Sequence, residues 1–317
     1  MLDIRPFSNA DLPHLADIWC IHHATYRSPP NVTHSVFEQA VASRLFFDPS
    51  RLLVATIDER PVAWCHWFPG PDGNASVQSL CFLPGPAIEV TTHLLLQRVE
   101  SDALASGSSL LTIGVHCHQN HGYQGLDPVG HGLGIDVADD RTNTLLESIG
   151  YHETQRLDRW KVLTSSYRAP VNRDFLMLRR MTRLQRTNAP VVAMEIAAGM
   201  IHFDVERHSL IDLRTKQEIC FVDVWTSDPE ALVMPMGEAI LGRWVHPSHS
   251  PSESSGDPAE ETALRYLVAS IVPTLYERRI MSLQRSVVTD NHAEAATLSA
   301  THFSRTSAGR LMAKRLR

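Results

Sequence analysis

The chain has 317 residues, 43% hydrophobic and 20% charged, with a formal net charge of −6. That length exceeds what one hydrophobic core usually serves and fits two domains of ordinary size. No apolar run is long enough to cross a bilayer, and the acidic balance offers nucleic acid no basic tract, so neither a membrane nor a nucleic-acid partner is expected.

The opening MLDIRPFSNADLPHL lacks a basic stretch followed by an apolar core, which predicts a cytoplasmic protein whose fold starts at once. Cys20, Cys65, Cys81, Cys117 and Cys220 form no C-x-x-C pair and read as reduced thiols. LDIRP (2–6) predicts a first strand, and Leu12, Leu15, Ile18 and Trp19 then recur at helical spacing behind a Ser8 or Asn9 cap. A second helix is predicted near 34–46. RLLVATI (51–57), PVAWCHWF (61–68) and ASVQSLCFL (75–83), joined by short turns, predict an antiparallel meander.

Ile88, Leu95, Val99 and Ala103 share one face of a helix over 86–106 that ends at Gly107. The apolar run SLLTIGV (109–115) predicts a buried strand. A strand joined to its neighbour through a crossover helix must lie parallel to it, so the sheet is mixed. A helix over 140–149 stops at Gly150, and Tyr151 leads a strand through about 162.

The same order returns from 206: RHSLIDLRT, EICFVDVW and EAILGRWV as strands, then a helix over 258–278 with Ala263, Leu267, Ile271 and Leu275 four apart. MSLQRSVV, a helix to about 302, Phe303 and a last strand complete it. This repetition predicts an internal duplication in which SIGYHETQRL (148–157) and THFSRTSAGRL (301–311) are one corner in two copies. The predicted division is 1–168, an arginine-rich connector over 169–190 with a strand or helix inside it, and 191–317.

IRPFSNADLPHLADIW (4–19), LLESIGY (145–151) and DNHAEAATLSATHF (290–303) resemble the opening and closing segments of the GNAT family, the Gcn5-related N-acetyltransferases. The resemblance covers most of the chain, and tandem copies occur in the family, mycothiol synthases among them. It implies an α/β (α+β) fold of two tandem GNAT-like domains, each a mixed, mostly antiparallel sheet flanked by helices. It further implies acetyl-CoA as co-substrate and an amine on a small molecule or peptide as acceptor. The rival expectation is a GNAT-fold binding or scaffold protein that has lost transfer.

In the family, acetyl-CoA enters where the strand before the crossover helix parts from the parallel strand after it. Exposed strand backbone can pair with a peptide-like arm, and a helix N-terminus favours the pyrophosphate. The resemblance therefore assigns Cys81, Phe82, Leu83, Gly85 and Ala87 to the co-substrate in the first copy. In the second it assigns Trp244, Val245, Gly256 and Asn291. Both loops depart from the family pattern. The first, Leu83-Pro84-Gly85-Pro86-Ala87, is short, has one glycine and no cation, and is followed by Glu89; the second, HPSHSPSESSGDP, ends in Asp257, Pro258 and Glu260, which read as the helix's own cap. Phosphate binding ranks slightly higher in the first copy.

Acetyl transfer needs a base for the amine and an acid for the leaving thiolate. The tyrosine many relatives place in the last helix is Leu146 in one copy and Leu298 in the other. Tyr123, in the glycine-rich HGYQGLDPVGHGLGI, is the expected substitute acid, with Tyr151 read as a half-buried corner aromatic. Asp223 and Glu238 are the expected bases, and His66 between two tryptophans reads as a satisfied core histidine. His116, Cys117, His118, His121 and His131 have the softness to hold zinc, but neighbours on an extended segment point apart, so loop polarity is the default and no metal is expected.

Overall fold

A computed structural model describes residues 1–70, 73–116, 123, 126, 132–188, 203–227, 234, 236–245 and 258–317. Over these, the chain forms two compact units, residues 1–158 with 307–317 and residues 159–188 with 203–306. The expected contiguous division does not coincide with them. The last strand of each half of the sequence runs from one unit into the other, and the segment read as a connector carries a helix and a paired strand of the second unit.

In unit 1, β1 (Leu2–Pro6), α1 (Leu12–Ala24), α2 (His34–Phe37), β2 (Leu52–Ile57), β3 (Arg60–Pro69) and β4 (Asn74–Phe82) precede the crossover helix α3 (Pro86–Ala105). After it come β5 (Leu110–Ile113), β6 (Ile135–Asp136), α4 (Asp140–Ser148) and the start of β7 (His152–Leu163). The helix expected over 34–46 is shorter: α2 gives way to a single wider turn at Glu38–Ala42.

Unit 2 contains α5 (Arg173–Met181), β8 (Thr182–Asn188), β9 (Phe203–Asp212), β10 (Glu218–Ser227), β11 (Glu238–Val245), α6 (Pro258–Glu277), β12 (Ser282–Val288), α7 (His292–Ala300) and the start of β13 (Ser304–Arg315). Among the described residues no helix is long and apolar enough to cross a membrane.

Strand order in unit 1 is β1-β2-β3-β4-β5-β13, antiparallel except for β4 and β5, and in unit 2 it is β12-β11-β10-β9-β8, antiparallel except for β11 and β12. The two parallel pairs are those predicted from the crossover helices. Strand β3 is buried along Val62–Phe68 because both faces of its sheet are covered. Ala63, Cys65 and Trp67 pack with Leu95, Leu96 and Val99 of α3, while Trp64 on the opposite face stacks on Trp19 of α1, ring centroids 6.0 Å apart. In unit 2, Leu267, Ile271 and Leu275 of α6 pack on Val222, Val224 and Leu241.

Each unit carries an irregularity at one and the same place. Pairing between β3 and β4 slips by one residue between Val77 and Ser79, and pairing between β10 and β11 slips between Leu241 and Trp244. The last parallel pairs are Val77–Ile113 and Ile240–Gln284, at the edge of each slip. A bulge adds twist and bends its strand. Both central strands therefore peel away from their parallel neighbours at that point and open a gap on the side of the crossover helix N-terminus.

Candidate functional site

The gap in unit 1 contains a cavity of about 50 Å³, lined by Gln78, Ser79 and Leu80 of β4, by Ile113 at the end of β5 and Gly114 past it, and by His22, His23, Tyr26, Asp136 and Asp139. That volume admits a few waters, short of what a small-molecule pocket holds. Helical spacing brings His22, His23 and Tyr26 to one end of α1. The signal in the sequence is IHHATY (21–26), two adjacent histidines with a tyrosine three and four residues on, a pattern that matches no motif with standard ligand or catalytic spacing.

The His23 Nδ1 lies 2.6 Å from the Tyr26 hydroxyl, and Nε2 lies 4.0 Å from the Cys81 Sγ. Burial, reinforced by His22 and Arg27 nearby, pulls the His23 pKa well below the histidine value, so the ring is neutral and shares one hydrogen bond with the tyrosine hydroxyl. Burial next to Asp139 and Asp136 raises the Tyr26 pKa, which keeps the hydroxyl proton in place. Burial likewise raises the Cys81 thiol, so it is no ready nucleophile.

His22 has a different task. Its Nδ1 accepts from the Phe82 backbone N–H at 3.3 Å and from Arg141 Nη2 at 3.1 Å, which leaves the ring proton on Nε2, 3.3 Å from Asp139. Burial works to raise the Asp139 carboxyl, but hydrogen bonds from His22 and Thr142 outweigh it and hold the group below the usual carboxylate range. Arg141 also donates to the Phe82 carbonyl at 3.1 Å and lies 4.2 Å over the Phe82 ring. Together His22 and Arg141 clasp both backbone groups of the last residue of β4.

The residues expected from the sequence are distributed differently. Tyr123 is fully buried away from the cavity, stacked on Trp19 with ring centroids 5.8 Å apart and bonded to His66 Nδ1 at 2.9 Å. It is a core residue, and His66 is buried in the aromatic face as expected, but only its Nδ1 is bonded; its Nε2 has no hydrogen-bond partner among the described residues. Asp223 is buried in an ion pair with Arg207 at 2.8 Å, with Arg243 at 3.6 Å. Glu238 begins β11, at the closed end of the parallel pair, and bonds Lys161 at 2.8 Å and Gln284 at 2.9 Å. Both carboxylates hold strands together and neither is a free base. Tyr151 is buried at its corner and donates to Glu100 at 3.0 Å.

Of the expected co-substrate residues, Cys81 and Phe82 lie on β4 at the gap, and the Leu83 N–H is bonded back to Val62. Gly85 caps α3 with φ 136°, and its carbonyl takes the Ile88 and Glu89 amides, so the first turn closes on itself. The Ala87 carbonyl accepts from Thr91. Trp244 packs at the edge of the unit 2 core, and Asn291 caps α7 through a bond from the Glu294 N–H at 3.2 Å. The Val245 side chain, Gly256 and the histidine-rich segment after His116 lie outside the described residues. Among the described residues no group of three or more His, Cys, Asp or Glu is placed to hold a metal.

No family model matches the sequence, and no curated protein matches it. Solved structures do. A tandem GNAT protein from the clavulanic acid biosynthesis pathway aligns over 100% of this chain and 99% of its own at 12% identity, with a TM-score of 0.69. A GCN5-related N-acetyltransferase from Sphaerobacter thermophilus aligns over 100% and 96% at 11% identity, TM-score 0.65. Saccharomyces cerevisiae N-myristoyltransferase aligns over 98% and 80% at 9% identity, TM-score 0.58. With a parting parallel pair in each unit and these neighbours along its whole length, the chain has the tandem GNAT fold.

Proposed function

We infer that the chain is an acyl-CoA-dependent N-acetyltransferase whose working slot lies in unit 1. The observation that carries this reading is the parting of β4 from β5 just past Val77–Ile113, where the cavity gathers Tyr26, His23 and Asp136. The pantetheine arm pairs with β4 along Gln78–Phe82 once the His22 and Arg141 clasp leaves Phe82. Arg141, whose Nε and Nη1 have no hydrogen-bond partner among the described residues, then provides the cation that the short loop lacks. The acceptor amine attacks the thioester carbonyl, a C–N bond forms and the C–S bond breaks. Tyr26, held by His23, protonates the leaving thiolate, and the ammonium proton passes to Asp136.

A second reading, a GNAT-fold binding protein without transfer, is favoured by the clasp itself, since side chains already occupy the backbone groups of Phe82. A thermal melt with saturating acetyl-CoA separates ligand binding from none, because a ligand of the folded state must raise the melting temperature. The transferase reading expects a rise, and no shift rejects it. It also expects Tyr26→Phe to lower kcat by about 100-fold, the lower end of general-acid contributions, with acetyl-CoA affinity retained. Unchanged turnover in that variant would remove Tyr26 from the mechanism.

A further inference from the structure

The gap in unit 2 is filled from within. Arg285 stands on β12 one residue past the last parallel pair, Ile240–Gln284, and is only 4% exposed. Its Nη1 donates to the Leu241 carbonyl at 3.1 Å and, at closer range, to the Gly242 carbonyl. Its Nη2 pairs with Glu294 of α7 at 3.0 Å, and its guanidinium lies 4.0 Å over the Trp244 ring. Gly242 itself cannot carry a side chain, because a Cβ would lie 2.3 Å from Trp225 Nε1.

The corresponding place in unit 1 is apolar. Arg285 follows Leu283 by two residues on β12, as Ile113 follows Leu111 on β5, and Leu283, Leu111 and Ile113 are all core residues. Where unit 1 places Ile113 beside a cavity, unit 2 places a cation whose five N–H donors suit the strand carbonyls that the bulge exposes. A buried arginine paired with Glu294 and two carbonyls is a satisfied group, and removing it from the gap would strand the charge of its partner.

The geometry points to Arg285 as a built-in occupant of the unit 2 slot, taking the hydrogen bonds that a pantetheine arm would need, so that acyl-CoA enters unit 1 alone. This rests on the acyl-CoA reading above. Binding isotherms of acetyl-CoA and of pantetheine, which carries no phosphates and so reports on the slot alone, are measured on the full chain, on Arg285→Ile, and on Arg285→Ile/Glu294→Gln, in which no carboxylate is left unpaired. The expected result is one acetyl-CoA per wild-type chain, and one additional pantetheine site in whichever variant retains the wild-type circular dichroism.

Two sites in the wild type, or a folded variant that gains none, would overturn the assignment. A wild type that binds no acetyl-CoA sinks the acyl-CoA reading instead, and the pantetheine gain of the variant still decides the role of Arg285. Hydrogen exchange on the wild type needs no variant. Saturating acetyl-CoA is expected to protect 74–82 and leave 238–245 unchanged, and protection arising over 238–245 rejects the proposal.

Discussion

His66 and Tyr123 make one buried polar pair in an aromatic face, where Phe68 lies 4.3 Å from the histidine ring and Trp19 stacks on the tyrosine. Burial pulls the His66 pKa down to about 3, far below the value of 6.5 it has when exposed. The unfolded chain therefore takes up a proton that the folded chain refuses. Stability linked to this group is complete above pH 6.5 and is lost as pH falls toward 3. At pH 5 the loss amounts to about 2 kcal/mol by linkage. His66→Gln keeps an acceptor for the Tyr123 hydroxyl without titrating. Urea melts at pH 7.5 and 5.0 are expected to show a drop smaller by that amount in the variant, and equal drops would refute it. His23 and His208 are also held below the ordinary histidine value by burial, so the wild type is expected to weaken on acidification beyond the His66 share.

At the scale of elements, the duplication is written in matching caps. Asp139 before α4 has φ −81° and ψ 68°, Asn291 before α7 has φ −81° and ψ 76°, and each side chain accepts the backbone N–H three residues on. The far ends match as well: Gly150 has φ 92° and His302 has φ 65°, the left-handed turn that closes a helix. Glycine enters that region freely, whereas a side chain pays roughly 1 kcal/mol or more. His302→Gly is accordingly expected to stabilise unit 2 by about 1 kcal/mol and raise its melting temperature by about 2–4 °C. A lower melting temperature would mean that the Tyr167–His302 ring contact, 6.2 Å between centroids, outweighs the backbone strain.

For the whole molecule the consequential feature is how the chain is shared out. Met312–Arg315 of β13 pairs with β5, and Gly309 and Arg310 pair with β6, so unit 1 has a vacant strand position until the last residues are in place. Met312 is part of its core, and Lys314 bonds both carboxylate oxygens of Glu100 at 2.8 Å. A chain ending at residue 168 is therefore expected not to fold cooperatively, although it contains every helix of unit 1. Addition of a segment carrying residues 304–317 at its C-terminus is expected to restore protection from proteolysis. A compact, cooperatively melting 1–168 fragment would show that β13 is dispensable.

Periodicity and turn chemistry by themselves determined the elements: helical spacing of Leu95, Val99 and Ala103, apolar runs at 51–57 and 61–68, and a crossover helix that forces a parallel pair. These are local properties, set by the backbone and its nearest neighbours, and so was the repetition of their order. The site was decided by tertiary structure. Asp223 and Glu238 read as free carboxylates because their partners, Arg207 and Lys161, lie on other strands. Tyr123 read as an available hydroxyl because burial belongs to the packed face and not to its loop. Conversely, His22, Phe82 and Arg141 meet only when α1, β4 and α4 converge, and Arg285 of β12 reaches the Leu241 and Gly242 carbonyls only at the bulge in β11. Electrostatics and hydrogen bonding depend on distance in space, which a linear order of residues does not contain.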